Sequence, residues 1–355
     1  MNDANKKLNS RELFLKACAG DCDLFRPPVW FMRQAGRYLP EYQAIRKQVK
    51  FLELCRNPAL AAEVSLQPVE IIGVDAAIIF SDILLPLADF GIEIDFPESG
   101  GIKVNLPDTH KLSNFKIGSN IQSTISAIKI LGEKLKEKYL QVPVLGFAGA
   151  PWTLANYIYE GGTGRKGEFS KAKQMIYENP AKIKELLQAL SEMTITYLQA
   201  QIEAGAEAVQ LFDTWAGELT QDDYAEFAFP FAEKVFSELP RNIPKIYYMK
   251  GVSPYLSQIA TIGADILSVD WKVSLTQAWN QVSSVNGNTI KCLQGNLDPL
   301  ILTTNTSMVK TNTKKIIEEG KTLGCGHILN LGHGVTPDAK VDCTKAFVMT
   351  SKELG

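Results

Sequence analysis

The sequence predicts an α/β protein, a single (β/α)8 TIM barrel with a β-hairpin inserted after the second strand. Three observations carry that expectation. Eight short β-rich apolar runs alternate with longer segments of helical spacing. Several of the runs are continuously apolar, as parallel strands covered on both faces are. Polar residues collect just past the runs, where a barrel gathers its chemistry. A doubly wound open sheet is the competing arrangement, and periodicity does not exclude it. At 355 residues one large domain suffices, and no low-complexity tract or linker divides the chain. Residues 1–355 are therefore expected to form one catalytic domain, with 1–25 as an N-terminal extension or helix.

The strand candidates, in order, are 28–32 (PVWFM), 75–80 (DAAIIF), 142–147 (VPVLGF), 208–212 (AVQLF), 245–249 (KIYYM), 265–269 (DILSV), 289–293 (TIKCL) and 327–331 (HILNL). Between them the clearest helix begins at Asn179-Pro180, an N-cap followed by proline at the first helical position. Ile183, Leu186, Leu187 and Leu190 then share one face, and Gly205 marks a stop. Other amphipathic stretches cover 57–72, 120–140, 222–239, 308–323 and 339–352. Residues 88–104 (ADFGIEIDFPESGGIKV) read as the inserted hairpin.

Composition narrows the function. A net charge of −2, from 37 Lys+Arg against 39 Asp+Glu, gives no global basic field for nucleic acid. The aromatic residues are not interleaved with basic runs. The six cysteines include no Cys-x-x-Cys pair and read as reduced thiols of a cytosolic protein. The first residues lack the apolar core of a secretory signal, and no apolar run is long enough to span a membrane. The expectation is a cytoplasmic protein that engages neither nucleic acid nor membrane.

The residues past the strands are Arg33, Ser81-Asp82, Asp213-Thr214, Lys250, Asp270, Asn296 and His333. Arg33 and Arg37, four apart in VWFMRQAGRYLPEY, could be solvated surface residues. An apolar strand leading into them makes an anion cradle the better reading, because guanidinium groups pair bidentately with carboxylates. Asp82 is either a helix N-cap or a functional acid, and Asp213 carries the same ambiguity. Of the three histidines, His110 reads as surface and His327 as structural. His333 lies between glycines that would let backbone approach a ligand, and is the functional candidate. Two motifs mislead. Gly162-Thr-Gly164-Arg-Lys-Gly167 matches a dinucleotide pattern but does not open the first βαβ unit, so it reads as a loop. Cys325-x-His327 lacks further ligands at suitable spacing, so no metal is expected.

Taken together, VWFMRQAGRYLPEY, FSDILLP, GAPWTLANYIYEGG, LFDTWAG, QGNLDP and NLGHG resemble the uroporphyrinogen decarboxylase family over nearly the whole chain. The resemblance implies a homodimeric barrel enzyme that needs no metal or organic cofactor. Its substrate would be uroporphyrinogen, whose four acetate side chains become methyls with loss of four CO2, giving coproporphyrinogen III. That chemistry suits the residues. Eight substrate carboxylates call for local cations, and protonating a pyrrole creates the electron sink that a cofactor otherwise supplies. The resemblance implies Asp82 and Arg33 as catalytic residues, with Asp82 accepting pyrrole N–H groups and stabilising the cation. For the donor of the ring proton Arg33, acting with water, is favoured, although an arginine's high pKa makes it a poor general acid. It implies substrate contacts by Arg33, Gln34, Ala35, Gly36, Arg37, Asp82, Tyr157, Thr214 and His333. Thr214 stands where many relatives carry Ser, which keeps the hydroxyl. The alternatives are a zinc-dependent corrinoid methyltransferase of the same superfamily and a non-catalytic tetrapyrrole-binding protein. The first needs a His-x-Cys pair, and here the order is reversed; the second is disfavoured by the full set of strand-end polar residues.

Overall fold

The computed structural model describes residues 8–97, 101–105, 115–138, 140–162 and 170–354. His110, and the Gly164–Gly167 part of the glycine motif, lie outside them. The described residues form nine strands: β1 (Ala77–Ile78), β2 (Ile94–Asp95), β3 (Lys103–Val104), β4 (Val144–Gly149), β5 (Ala208–Phe212), β6 (Lys245–Tyr248), β7 (Ile266–Ser268), β8 (Cys292–Leu297) and β9 (Gly326–Leu331). Seven form one parallel sheet in the order β1-β4-β5-β6-β7-β8-β9, and β2 pairs with β3 in the expected antiparallel hairpin.

The closed eight-stranded barrel is thereby corrected: the sheet is an open half-barrel whose edges are 12 Å apart. Residues 28–32, expected as the first strand, make only an isolated parallel bridge, Val29 with Leu329. The reason is in the sequence. Pro27 and Pro28 have no N–H to give a ladder, and the chain turns back at Phe31, whose carbonyl accepts from Gln34 N–H at 3.1 Å. What holds the segment is a buried polar chain. The Trp30 indole donates to Gln294 (3.0 Å), whose amide donates to Gln210 (3.0 Å) and Ser268 (2.9 Å).

Every residue of the sheet's strands except Phe212 is buried. Neighbours alternate between two apolar cores: Ile246 and Tyr248 join one, Tyr247 the other. The helix Pro180–Glu203 starts at Asn179, whose side chain accepts from Lys182 N–H, as its cap predicts. The helices Pro58–Ile71, Ser119–Glu137, Thr306–Gly320 and Val341–Lys352 match expected stretches. The expected helix 222–239 is broken at Ala228 into Gln221–Phe227 and Phe229–Ser237, because Pro230 opens the second piece. In the N-terminal segment, the helix Ser10–Cys18 buries Leu13 and Phe14 and crosses Gly326 so closely that a Cβ there would meet Ala17 O at 2.0 Å.

At the N-terminal end of the sheet one ion pair is fully enclosed. Asp75, 0% exposed, binds Arg26 through both oxygens (2.6 and 2.9 Å) and accepts from Ser10 Oγ and Val29 N–H. The opposite end is built differently.

Candidate active site

The segments beyond the C-terminal ends of the strands bring Arg33, Asp82, Tyr157, Trp215, Lys250, Trp271 and His333 into one cluster, linked by ring contacts and shared charge. Arg33 is the charge they share. It influences the titration of Asp82, Tyr157, Tyr248 and His333. Its backbone is left-handed, φ 61°, a conformation that costs an L-residue roughly 1–2 kcal/mol. The exposed side chain runs across Gly334, where a Cβ would fall 2.5 Å from Arg33 Cδ.

Asp82 follows β1 and is half-buried. Its Oδ1 accepts from Leu84 N–H at 2.8 Å, which fixes the carboxylate and leaves Oδ2 for another donor. Burial pushes the carboxyl up to about 6, although the Leu84 hydrogen bond and the Arg33 charge both pull it down. It is thus both a turn cap and an acid held near neutrality. Asp213 parts from it. Fully buried, it accepts from Thr153 Oγ1 and Tyr247 Oη, each at 2.9 Å, and both oxygens face protein. Burial raises it to about 6 too, but its place is structural.

His333 follows β9. Its Nδ1 lies 2.7 Å from Tyr248 Oη, and the two rings stack at 5.8 Å and 8°. Burial, then the charges of Arg33 and Lys250, lower it to about 3, so the imidazole is neutral at physiological pH. The flanking glycines also serve the protein's own packing: Gly334 admits Arg33, and a Cβ on Gly332 would meet Trp271 N at 2.4 Å. His327 is buried in β9, 3.2 Å from Gly295 O, and burial lowers it to about 4.

Tyr157, on the helix Pro151–Glu160, meets the Trp215 ring edge-to-face at 6.4 Å. Burial raises its phenol, with Asp82 adding and Arg33 opposing. Thr214 is half-buried beside Trp215. Gln34 is fully buried: its amide donates to Ala76 O (2.9 Å) and its oxygen accepts from Phe31 N–H, so its side chain braces the Arg33 turn. Ala35 and Gly36 continue that turn, and a Cβ on Gly36 would press on Arg33 O at 2.9 Å. Arg37 is exposed on the rim, where its charge reaches the Tyr42 phenol. Reading the sequence missed Tyr248, hidden inside an apolar run, and Trp215, whose position opposite Tyr157 depends on the fold. A separate groove beside the hairpin, lined by Arg56, Asp95, Lys103 and Asn120, contains none of these residues.

An arginine in no ion pair among the described residues, a half-buried carboxylate poised near 6 and a neutral imidazole can together bind a polyanion and stabilise a positive charge developing beside it. Comparison with known proteins points the same way. The family model described as Uroporphyrinogen decarboxylase (URO-D) matches residues 9–354. The chain is 41% identical over 350 residues to the uroporphyrinogen decarboxylase of Carboxydothermus hydrogenoformans, covering 97% of this chain and 96% of that one. It is 42% identical over 351 residues to that of Nocardia farcinica, covering 96% of each. A solved methyltransferase from Methanosarcina mazei superposes with a TM-score of 0.77 over 98% of this chain and 99% of its own, at 23% identity, a likeness of fold alone.

Proposed function

The chain belongs to the uroporphyrinogen decarboxylase family, carboxy-lyases that convert uroporphyrinogen III to coproporphyrinogen III, and we propose that it performs this reaction in the strand-end cleft. The observation that carries the assignment is the Asp82–Arg33 arrangement: a carboxylate with one oxygen fixed and one available, facing a guanidinium it does not bind.

The chemistry follows from the pyrrole. A proton adds to the ring carbon next to the one that bears the acetate, leaving positive charge on that neighbour and on nitrogen. The bonding pair of the C–CO2 bond then moves into an exocyclic double bond and CO2 departs. A second proton adds at the new methylene, and the first leaves the ring, so each cycle exchanges one CO2 for one proton. Asp82 Oδ2 accepts the pyrrole N–H groups and stabilises the cation, a preorganised contribution of about 3–4 kcal/mol. Arginine keeps its own proton at all ordinary pH, so the ring proton comes from solvent through a water that Arg33 orients, and solvent takes it back when it leaves the ring. The protonated ring is itself the electron sink, and the scheme calls for no metal or organic cofactor.

Arg33 and Arg37 hold substrate carboxylates, with Gln34, Ala35 and Gly36 shaping the turn between them. Tyr157 and Thr214 hydrogen-bond side chains of the tetrapyrrole, and His333 donates to a carboxylate through the nitrogen that does not face Tyr248. A cytoplasmic setting agrees with six free cysteines, five of them buried, and no described helix is long and apolar enough to cross a membrane. Homodimerisation follows from the family resemblance, and sedimentation at micromolar concentration tests it.

The deciding experiment is anaerobic incubation with chemically reduced uroporphyrinogen III in EDTA, then oxidation and chromatography by carboxyl number. A ladder from eight carboxylates to four is expected. Intact substrate left unchanged by folded protein would reject the assignment.

A further inference from the structure

The assigned cations leave the charge of the site lopsided. Arg33 and Arg37 both stand on the turn after residues 28–32, at the gap between the sheet's edges, and His333 is neutral. In the strand order β6 has three strands on each side, so the turn after it lies across the cleft from that gap. Lys250 occupies this turn. It is half-buried, its Nζ lies 5.7 Å from the centre of the Trp215 ring, and no ion pair among the described residues includes it.

The turn is clamped from both sides. A Cβ on Gly217 would fall 1.9 Å from Lys250 O, and Gly251 N–H donates to the buried Asp270 carboxylate. Asp270 does not neutralise the ammonium: its oxygens accept from the backbone of Gly251 and Lys272. The charges of Lys250 and Arg33 both reach His333. Two cations that both reach one neutral ring, neither of them in an ion pair among the described residues, leave a place that a carboxylate would relieve.

We propose that Lys250 is a substrate-binding residue, holding a carboxylate of the tetrapyrrole on the β6 side of the cleft while Arg33 and Arg37 hold others across it. This rests on the decarboxylase reading. Trp215 gives the ammonium an aromatic face that steers it toward the cleft. Because the substrate must turn to present four acetates in succession, a fixed cation opposite the arginines keeps partly reacted tetrapyrroles in place between cycles.

The test uses Lys250→Met, which keeps most of the aliphatic stem, and Lys250→Arg, which keeps the charge. Lys250→Met is expected to raise KM for uroporphyrinogen III by roughly tenfold or more, with kcat for the first decarboxylation changed far less. Products with seven, six and five carboxylates should accumulate. Lys250→Arg should restore most of the affinity and the clean ladder. Unchanged KM and ladder in folded Lys250→Met would overturn the inference. So would equal damage in Lys250→Arg, which would mark a shape requirement of the turn. If Lys250→Met does not fold, the Arg variant and the salt dependence of KM decide. Wild-type protein run alongside separates the two readings: no ladder from it rejects the decarboxylase assignment, whereas a normal wild-type ladder leaves Lys250 alone at issue.

Discussion

Two arginine–aspartate pairs stand at opposite ends of the same two stretches of chain. Arg26 and Asp75 are 49 residues apart, and the same separation recurs further along in Arg33 and Asp82. At the N-terminal end of the sheet the pair is closed: two charged hydrogen bonds, a serine hydroxyl and a backbone amide satisfy a carboxylate with no exposure. At the C-terminal end it is open. Asp82 has one backbone partner, feels the Arg33 charge without bonding it, and is pushed up to about 6 by burial. A closed pair has nothing left to offer a ligand and joins the N-terminal segment to the sheet. An open pair leaves stability unclaimed and keeps its hydrogen-bonding capacity for substrate.

The largest effect should come from the closed pair. Asp75→Asn leaves the Arg26 guanidinium buried without its counter-charge, which costs about 3–5 kcal/mol of folding free energy. Urea unfolding measures it, and the fraction still folded should keep its kcat. A loss below about 1 kcal/mol would show that Arg26 reaches water.

Asp82→Asn should do the reverse, lowering kcat by on the order of 10²–10³ while leaving the fold intact. The direction for stability follows from the raised carboxyl. Its contribution is fully present below the unfolded value, about 3.9, and is lost as pH rises through about 6. At pH 7.5 wild type therefore carries the cost of an ionised half-buried acid, and the Asn variant should melt no lower. A lower melting temperature with near-normal turnover would make Asp82 a turn cap and nothing more.

A gentler probe is pH itself. The reaction needs Asp82 ionised, so kcat/KM should fall as pH drops through about 6. Asp213 titrates in the same range, but its carboxylate is held by the Thr153 and Tyr247 hydroxyls and the Thr153 backbone, so its protonation should appear in stability and not in rate. An acid limb that survives Asp213→Asn and vanishes from the residual rate of Asp82→Asn assigns it; the opposite pattern would move the acid to the buried network.

Much of this contrast could be read from the sequence. Seven strands announce themselves because parallel strands buried on both faces are continuous apolar runs. The run at 28–32 has the same composition, but Pro27 and Pro28 carry no N–H, and those of Val29, Phe31 and Met32 go to side chains, so Trp30 alone donates to a neighbouring strand's backbone. Arg33, Asp82 and His333 stand out because each polar residue directly follows an apolar run. Lys250 follows one as well, but its significance depends on what lies across the cleft, which spacing along the chain does not encode. The enclosure of Asp75 is equally silent: Ser10 and the 26–29 segment that carries Arg26 and Val29 meet it from two distant places in the chain.

The smallest predicted effect bears most directly on the open pair, because it separates the Arg33 side chain from its backbone. Replacing Arg33 with Gly removes the left-handed strain, worth about 1–2 kcal/mol in favour of the variant. It also adds unfolded-chain entropy, worth about 0.5–1 kcal/mol against it, and strips the aliphatic stem from Gly334. The net change in stability should stay within about 1 kcal/mol, although turnover falls with the guanidinium gone. Arg26→Ala, by contrast, strands a fully buried carboxylate and should lose several kcal/mol. Paired urea titrations of these two variants compare the ends of the sheet directly. Equal losses would mean that Arg33 is held in its strained conformation by structural demand, and the strain would then be no mark of the active site.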